Sequence, residues 1–211
     1  MSAAREAGSA LVRVAYQGEP GAFGEEAVAT RWGARAEPVP VPTFDAVVAA
    51  VRAGRAAYGL LPVENSIAGP VTVALAALDA AGGLATSRRA GALRAVDDVR
   101  LPIRQCLLAL PGATLDDLDT VESHPVALAQ CARFLQHRPW LRARAVHDTA
   151  GAARLVAESG DRRRGAIASR QAAMRHGLAV LLAGVQDRAD NVTRFLVVTA
   201  AAGEARAESA A

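Results

Sequence analysis

Short apolar runs in this chain repeatedly end in a polar cluster, and a helix-like pattern follows each one. Ala57 to Val63 delivers Glu64-Asn65-Ser66 ahead of a helix from Val71 to about Ala80. Thr120-Val121-Glu122 delivers Ser123-His124-Pro125 ahead of a helix to about Gln136, and Leu141 to Val146 delivers His147-Asp148-Thr149 ahead of Ala150 to Glu158. Leu11 to Tyr16, Gly165 to Ala168, Leu178 to Leu182 and Phe195 to Thr199 read as further strands. Glu25 to Trp32, Phe44 to Arg52 (capped by Thr43) and the stretch from Ser169 to Arg175 read as helices. Strands alternating with helices predict an α/β fold with largely parallel sheets. Two stretches stand apart from the rhythm. Glu37 to Val41, interrupted by Pro, is at most an edge strand, and Leu93 to Val99 with Ile103 to Leu110 reads as a strand pair.

The clusters lie where strands end and helices begin, the rim at which open α/β sheets bind ligands. Helix N-termini bring free N–H groups and the positive end of the macrodipole to that rim, which suits an anion. Arg194, just ahead of the Phe195 strand, would add a bidentate carboxylate clamp. Ser, Thr, Asp and Asn before helices are also ordinary caps worth about 1 kcal/mol each, and Thr193 is at home in any strand. Capping does not account for Glu64, His124 and Arg194 on one rim.

Composition removes several classes of function. Apolar residues make up 52% of the 211 residues, enough for a sizeable core, and the net charge is only +3. All 24 basic residues are Arg, and Arg162-Arg163-Arg164 is their one run of three. Without a basic stripe interleaved with aromatics, no nucleic-acid partner is expected. Cys106 and Cys131 lack CxxC spacing and read as reduced, buried thiols. The four His (124, 137, 147 and 176) show no ligand spacing, so no metal is expected. The Gly18 to Gly24 loop is not GxGxxG, so no dinucleotide cofactor is expected either. Met1 to Ala10 carries no apolar segment, and no run of about 18 apolar residues occurs. The expectation is a cytoplasmic protein with no membrane partner; a homodimer is a possible assembly. Residues 1–10 and the chain from Ala200 or 201 to 211 are expected to be disordered.

Seven stretches in order resemble the prephenate dehydratase family, including plant arogenate dehydratases. They are Val14 to Phe23, Leu61-Pro62-Val63-Glu64-Asn65-Ser66 with Gly69, and Leu101-Pro102-Ile103 with Cys106-Leu107-Leu108. Ser123-His124-Pro125 with Ala127 to Cys131, Asp148-Thr149-Ala150, Ala166 to Ser169 and Asn191-Val192-Thr193-Arg194-Phe195 complete the set. The resemblance implies a two-lobed, type II periplasmic-binding-protein-like α/β fold with its site in the interlobe cleft. Residues 11–100 with 186–200 would form one lobe and 101–185 the other. It implies a cofactor-free decarboxylating dehydration of prephenate, a dianion, to phenylpyruvate in phenylalanine biosynthesis, with Thr193 catalytic. Glu64, Asn65, Ser66, Gly69, Ser123, His124, Thr149, Ala150, Asn191, Arg194 and Phe195 would bind substrate. A Thr hydroxyl is a poor acid at neutral pH, which leaves His124 and Glu64 as titratable candidates for the proton donor.

The family usually has Ser where this chain has Gly24. It also usually carries a C-terminal ACT domain that binds phenylalanine; the expectation here is none, and hence activity insensitive to phenylalanine. Arogenate dehydration is the nearest alternative activity, followed by a stand-alone prephenate decarboxylase that keeps the hydroxyl. A non-enzymatic solute-binding protein is the alternative from another class.

Overall fold

A computed structural model describes residues 11–84 and 92–201. In chain order the elements are β1 (Val12–Gln17), α1 (Phe23–Trp32), β2 (Ala36–Val41), α2 (Phe44–Arg52), β3 (Tyr58–Asn65), β4 (Gly69–Pro70) and α3 (Thr72–Ala80). β5 (Leu93–Pro102), β6 (Cys106–Ala109), β7 (Thr120–Ser123), α4 (Pro125–Gln130), α5 (Ala132–Gln136) and β8 (Arg142–Ala145) follow. The chain then forms α6 (Thr149–Ser159), β9 (Arg164–Ala168), α7 (Arg170–His176), β10 (Ala179–Ala183) and β11 (Val192–Ala200).

Two sheets result, and neither is largely parallel as expected. The first has the order β2-β1-β3-β11-β5 with β4 beside β3; the second has the order β10-β6-β9-β7-β8. β11 is antiparallel to both of its neighbours, and so is β6. Both follow chain crossings: β6 enters the second sheet after the chain leaves the first, and β11 returns from it. A strand arriving by such a crossing is free of the right-handed parallel connection that a βαβ unit imposes. The expected strand pair is therefore not a pair. Leu93–Pro102 and Cys106–Ala109 lie in different sheets, joined by Ile103-Arg104-Gln105.

Ala36–Val41 is an edge strand as read, pairing parallel with β1 alone. The helix expected from Pro125 to Gln136 breaks at Cys131. Asp187 causes the break from the returning crossing: its N–H donates to the Gln130 carbonyl at 2.7 Å, and its carboxylate accepts from Arg133 N at 3.0 Å. The chain is also ordered past Ala200, since Ala201 N donates to Ala92 O at 2.8 Å. The expectations for residues 1–10 and 202–211 lie outside the described residues.

The sheets share one apolar core, in which Val14, Tyr16 and Phe195 of the first meet Leu108 and Ala168 of the second and Ala150 of α6. Polar contacts from the β1–α1 region add to it. Glu19 takes both arms of Arg154 on α6 at 2.6 and 3.0 Å. Buried Glu25 pairs with Arg175 on α7 and accepts from Gly21 N at 2.5 Å. Ser169 Oγ, which caps α7, also donates to the Gly21 carbonyl at 2.7 Å. Gly21 has φ +94°, and a Cβ there would lie 2.7 Å from the Ala172 Cα. Gly21→Ala should therefore destabilise the chain by about 2–3 kcal/mol through a backbone clash and a disfavoured φ. Thermal melts should show a midpoint lowered by roughly 4–12 °C; an unchanged midpoint would mean that the sheets are not held together at Gly21.

Candidate functional site

A cleft of about 750 Å³ opens between the two sheets. From the first sheet it is lined by Leu60, Pro62, Asn65, Gly69, Thr193 and Phe195, and from the second side by His124, Gln130, His147, Asp148 and Thr149. The N-terminal turns of α1, α2 and α3 also face it, through Phe23 and Gly24, Phe44 and Asp45, and Thr72 and Val73.

A β-bulge decides which polar residues of β3 reach the cleft. Side chains alternate along a strand, so with Leu60 and Pro62 facing the cleft, Glu64 should be next. The register against β11 slips instead: Phe195 pairs with Pro62 while Thr193 pairs with Asn65, so β3 carries one extra residue. The phase reverses there. Asn65 joins Thr193 and Phe195 in the cleft, while Glu64 and Arg194, directly opposite in register, point away and pair at 3.4 Å. Neither Glu64 nor Arg194 lines the cleft, so the carboxylate clamp expected of Arg194 gives way to this ion pair.

Asn65 Oδ1 accepts from the backbone N–H groups of Ile67 and Ala68 at 3.0 and 2.9 Å, which fixes the orientation of the amide. Asn65 Nδ2 then donates to Asn191 Oδ1 at 2.7 Å and to Thr193 Oγ1 at 2.9 Å. Asn191, fully buried, passes its own N–H to Gln130 Oε1 at 2.9 Å. Gln130 is a site residue that the sequence reading omitted, although it lies within the Ser123 to Cys131 stretch. Ser66 faces outward and staples β11 to the loop after β3, donating to Asp190 O at 2.8 Å and accepting from Val192 N at 2.9 Å. Ser123 is buried and donates to Ile167 O at 2.5 Å, and Ala150 is a core residue of α6. Both support the cleft without lining it.

Gly69 sits at φ +79°, a turn conformation that L side chains rarely adopt. Gly24 lines the cleft with the Tyr16 ring pressed close; a Cβ there would stand 3.0 Å from Tyr16 Cδ2. A side chain at position 24 would displace that ring, so Gly suits this packing.

His124 caps α4, with Nδ1 accepting from Val126 N at 3.2 Å. That bond leaves Nδ1 unprotonated, so the neutral ring carries its proton on Nε2. Burial lowers the His124 pKa, Asp148 opposes the shift and His147 reinforces it. The exposed His147 ring stands 3.9 Å from the Asp148 carboxylate. Asp148 Oδ1 caps α6 through Gly151 N at 2.5 Å. The two thiols are buried and unpaired, and burial raises both, Cys131 to about 12, so neither is an activated nucleophile. Among the described residues no cluster of three or more His, Cys, Asp or Glu is placed to hold a metal, and no helix is long and apolar enough to cross a membrane.

The order of these motifs and the sheet topology agree with a comparison against known proteins. Residues 14–202 match the family described as prephenate dehydratase. This chain belongs to that family. It is 40% identical over 199 residues to arogenate dehydratase 5 of Arabidopsis thaliana, covering 94% of this chain and 44% of that protein. Arogenate dehydratase 1 of Petunia hybrida is 41% identical over 192 residues, covering 90% and 42%. The chain thus spans less than half the length of these relatives. Among solved structures, the prephenate dehydratase of Arthrobacter aurescens in complex with L-Phe superposes with a TM-score of 0.78 at 31% identity, covering 91% of this chain and 61% of that one. GqqA, described as a novel type of quorum quenching acylase, also gives 0.78, at 34% identity, covering 89% and 64%.

The lowered His124 pKa has a consequence for stability. The unfolded chain holds this proton more tightly than the folded one, so below the ordinary value of 6.5 acidification favours unfolding. That contribution is intact above 6.5 and lost as the pH falls through the folded value. His124→Asn keeps a capping oxygen and removes the titration. Melting temperatures followed from about pH 7.5 to about pH 5 should fall less steeply in this variant than in the parent. Equal slopes would place the acid sensitivity elsewhere.

Proposed function

We propose that the cleft catalyses the decarboxylating dehydration of a prephenate-type ring, prephenate to phenylpyruvate or its amino counterpart arogenate to phenylalanine. One observation carries the reading: the Thr193 hydroxyl lines the cleft with a lone pair already taken by Asn65 Nδ2 at 2.9 Å. An oxygen that accepts there has its own hydrogen left to donate, and the fixed Asn65 amide keeps it available. The family and the motif order support the same chemistry.

In the reaction, the bond between the ring and its carboxylate breaks and its electron pair enters the ring. The ring becomes aromatic, and the C–O bond across it breaks as the hydroxyl leaves with a proton as water. Aromatisation drives both cleavages, so the protein has to hold the substrate, orient the breaking bonds and stabilise the departing oxygen. Thr193 donates its hydrogen bond to that oxygen. His124 serves as a second donor through Nε2–H, its Nδ1 being held by Val126 N. Glu64 takes no part, since the bulge turns it out of the cleft.

The substrate carboxylates are bound by helix N-termini. α1 and α3 both face the cleft, and neither Ala22 nor Val71 caps its helix with a side chain. α2, α6 and α7, by contrast, are capped by Thr43, Asp148 and Ser169. Uncapped first-turn N–H groups with the dipole behind them suit a carboxylate. Each sheet with its helices acts as one lobe, residues 11–100 with 186–200 and residues 101–185, and the reaction is placed in the cytoplasm, where reduced thiols such as Cys106 and Cys131 persist.

Prephenate and arogenate should be offered side by side to the purified chain without metal or cofactor, and the products identified. Phenylpyruvate or phenylalanine with loss of carbon dioxide is expected; loss of carbon dioxide with the hydroxyl retained would favour a decarboxylase. Turnover of neither, with hydrolysis of an acylated amine instead, would transfer the acylase description of GqqA to this chain. Thr193→Ala should lower kcat by roughly two to three orders of magnitude, as for one lost transition-state hydrogen bond, with KM little changed. Thr193→Ser, which keeps the hydroxyl, should retain most of the rate. Near-parental turnover by Thr193→Ala would put the catalytic centre elsewhere.

A further inference from the structure

The proposed ring chemistry uses His124 and leaves His147, which also lines the cleft, without a part. His147 lies between β8 and α6, beside the α6 cap Asp148, and its side chain is 80% exposed. Among the described residues that line the cleft, four side chains ionise near neutral pH: Asp45, His124, His147 and Asp148. Only the two imidazoles can become positive. His124 is half-buried, its pKa is lowered by that burial, and its Nδ1 is spent on Val126 N, so near pH 7 it stays neutral. His147 is under neither restraint. Its Nε2 stands 3.9 Å from the Asp148 carboxylate, beyond hydrogen-bond range, and is left to bond elsewhere. Three titratable groups face this ring: Asp148 beside it, His124 from α4, and Glu19 from the loop before α1. Two of them are already engaged, Glu19 with Arg154 and Asp148 Oδ1 with Gly151 N. Glu19 also shows which wall the ring stands near. A Cβ added at Gly151 would lie 3.1 Å from both Asp148 Oδ1 and Glu19 Oε1, so the α6 cap meets the loop that leads into α1. His147 therefore stands on the side of the cleft where α1 begins, and α1 has no side-chain cap.

We propose that His147 is a further substrate-binding residue, whose imidazolium pairs with the substrate carboxylate held at the N-terminus of α1 and makes substrate affinity depend on pH. This rests on the dehydratase reading of the cleft. Histidine is the side chain whose charge ordinarily changes between about pH 5 and 8. Substrate carboxylates stay ionised throughout that range, and Glu19, held low by its bond to Arg154, does so too. The pair therefore forms at the acid end, where the ring is protonated, and is lost as the pH rises. A helix N-terminus carries a fixed partial charge and brings no such dependence. Water screens a pair this exposed, so its contribution is modest. It falls on binding and not on the ring chemistry, because a carboxylate at the rim is held equally in the ground state and the transition state.

The test measures KM and kcat from about pH 6 to about pH 8.5 for the parent, His147→Ala and His147→Arg, with whichever of prephenate and arogenate the parent turns over. Parental KM should rise ~3–5-fold across this range, which is what an exposed charge pair supplies. His147→Ala should show the higher KM at every pH, and His147→Arg, a permanent cation, the lower one. In both, kcat should change little, as when binding common to ground state and transition state is altered. Both should melt with the parent, since the ring is exposed. A parental KM that stays level, or one that rises equally in His147→Ala, overturns the proposal. So does a His147→Ala variant that loses kcat with KM unchanged. Calorimetry with phenylpyruvate, an aromatic carboxylate, needs no turnover. If the parent turns over neither substrate, the dehydratase reading fails by itself. The His147 contact then stands if phenylpyruvate binds more weakly with rising pH in the parent and not in His147→Ala. It falls if the two behave alike or if the parent does not bind phenylpyruvate.

Discussion

The Asn65 amide can be satisfied in one way only, and the site depends on it. Two backbone N–H groups from the turn after β3 claim its oxygen, so its nitrogen must point toward β11, where Asn191 Oδ1 and Thr193 Oγ1 share its two hydrogens. The donors in this network all find acceptors, and a network satisfied throughout is rigid in a way that a half-satisfied one is not. The consequence reaches the proposed chemistry: a Thr that accepts from Asn65 is left as a donor toward the cleft. Asn65 reaches this place because β3 carries an extra residue against β11. Without the bulge Glu64 would face the cleft and Asn65 would face away, so a local backbone irregularity sets the polarity of the whole site.

A cleft proposed to bind carboxylates, yet lined by no Arg among the described residues, needs its positive potential from elsewhere. In the proposed binding mode helix N-termini supply it without a mobile cation, and two that lack a side-chain cap, α1 and α3, are on the cleft. A cap would consume the N–H groups that a ligand carboxylate needs, so Ala22 and Val71 leave the first turns of α1 and α3 open to a ligand. Arg residues are plentiful in the chain, but Arg194 is paired with Glu64 and Arg154 with Glu19. Neutral donors fixed in place also avoid stabilising the ground-state carboxylate so strongly that its loss as carbon dioxide is held back.

The elements were largely legible because apolar periodicity and caps are local: Thr43, Asp148 and Ser169 each cap the helix that follows them. What was hidden is long-range. The periodicity near Leu93 and Cys106 does not separate these strands, because their separation depends on β11, far downstream, taking the place beside β5; only the lobe boundary after residue 100 that the resemblance implied put them apart. The break at Cys131 was equally invisible, since Asp187 makes it from the far crossing. Within the site, Asn65, Gly69, His124, Thr149, Thr193 and Phe195 reach the cleft as the motifs suggested. Glu64 and Arg194 do not, because a period-2 reading has no means of detecting a bulge. Gln105, which also lines the cleft, carried no local signal.

Both chain crossings end in the site. The outgoing one carries Gln105, and the returning one leads through Asp187 into Asn191 and Thr193. They are tied to each other, Gln105 to Gln186 and Ile103 N to Asn191 O at 2.8 Å, and to α4 by Asp187. Any rotation of one sheet against the other has to turn about these segments, so it changes the surroundings of Asn191 and Gln105 first. Gln130 makes the link from the far side: it rides on α4 of the second sheet, accepts from Asn191 at 2.9 Å and approaches Asn65 at 3.4 Å. The hydrogen bonds that orient Thr193 are thus continuous with those that hold the sheets together. Under the proposed chemistry, a closing of the cleft around a substrate would also move the groups that orient the Thr193 hydroxyl.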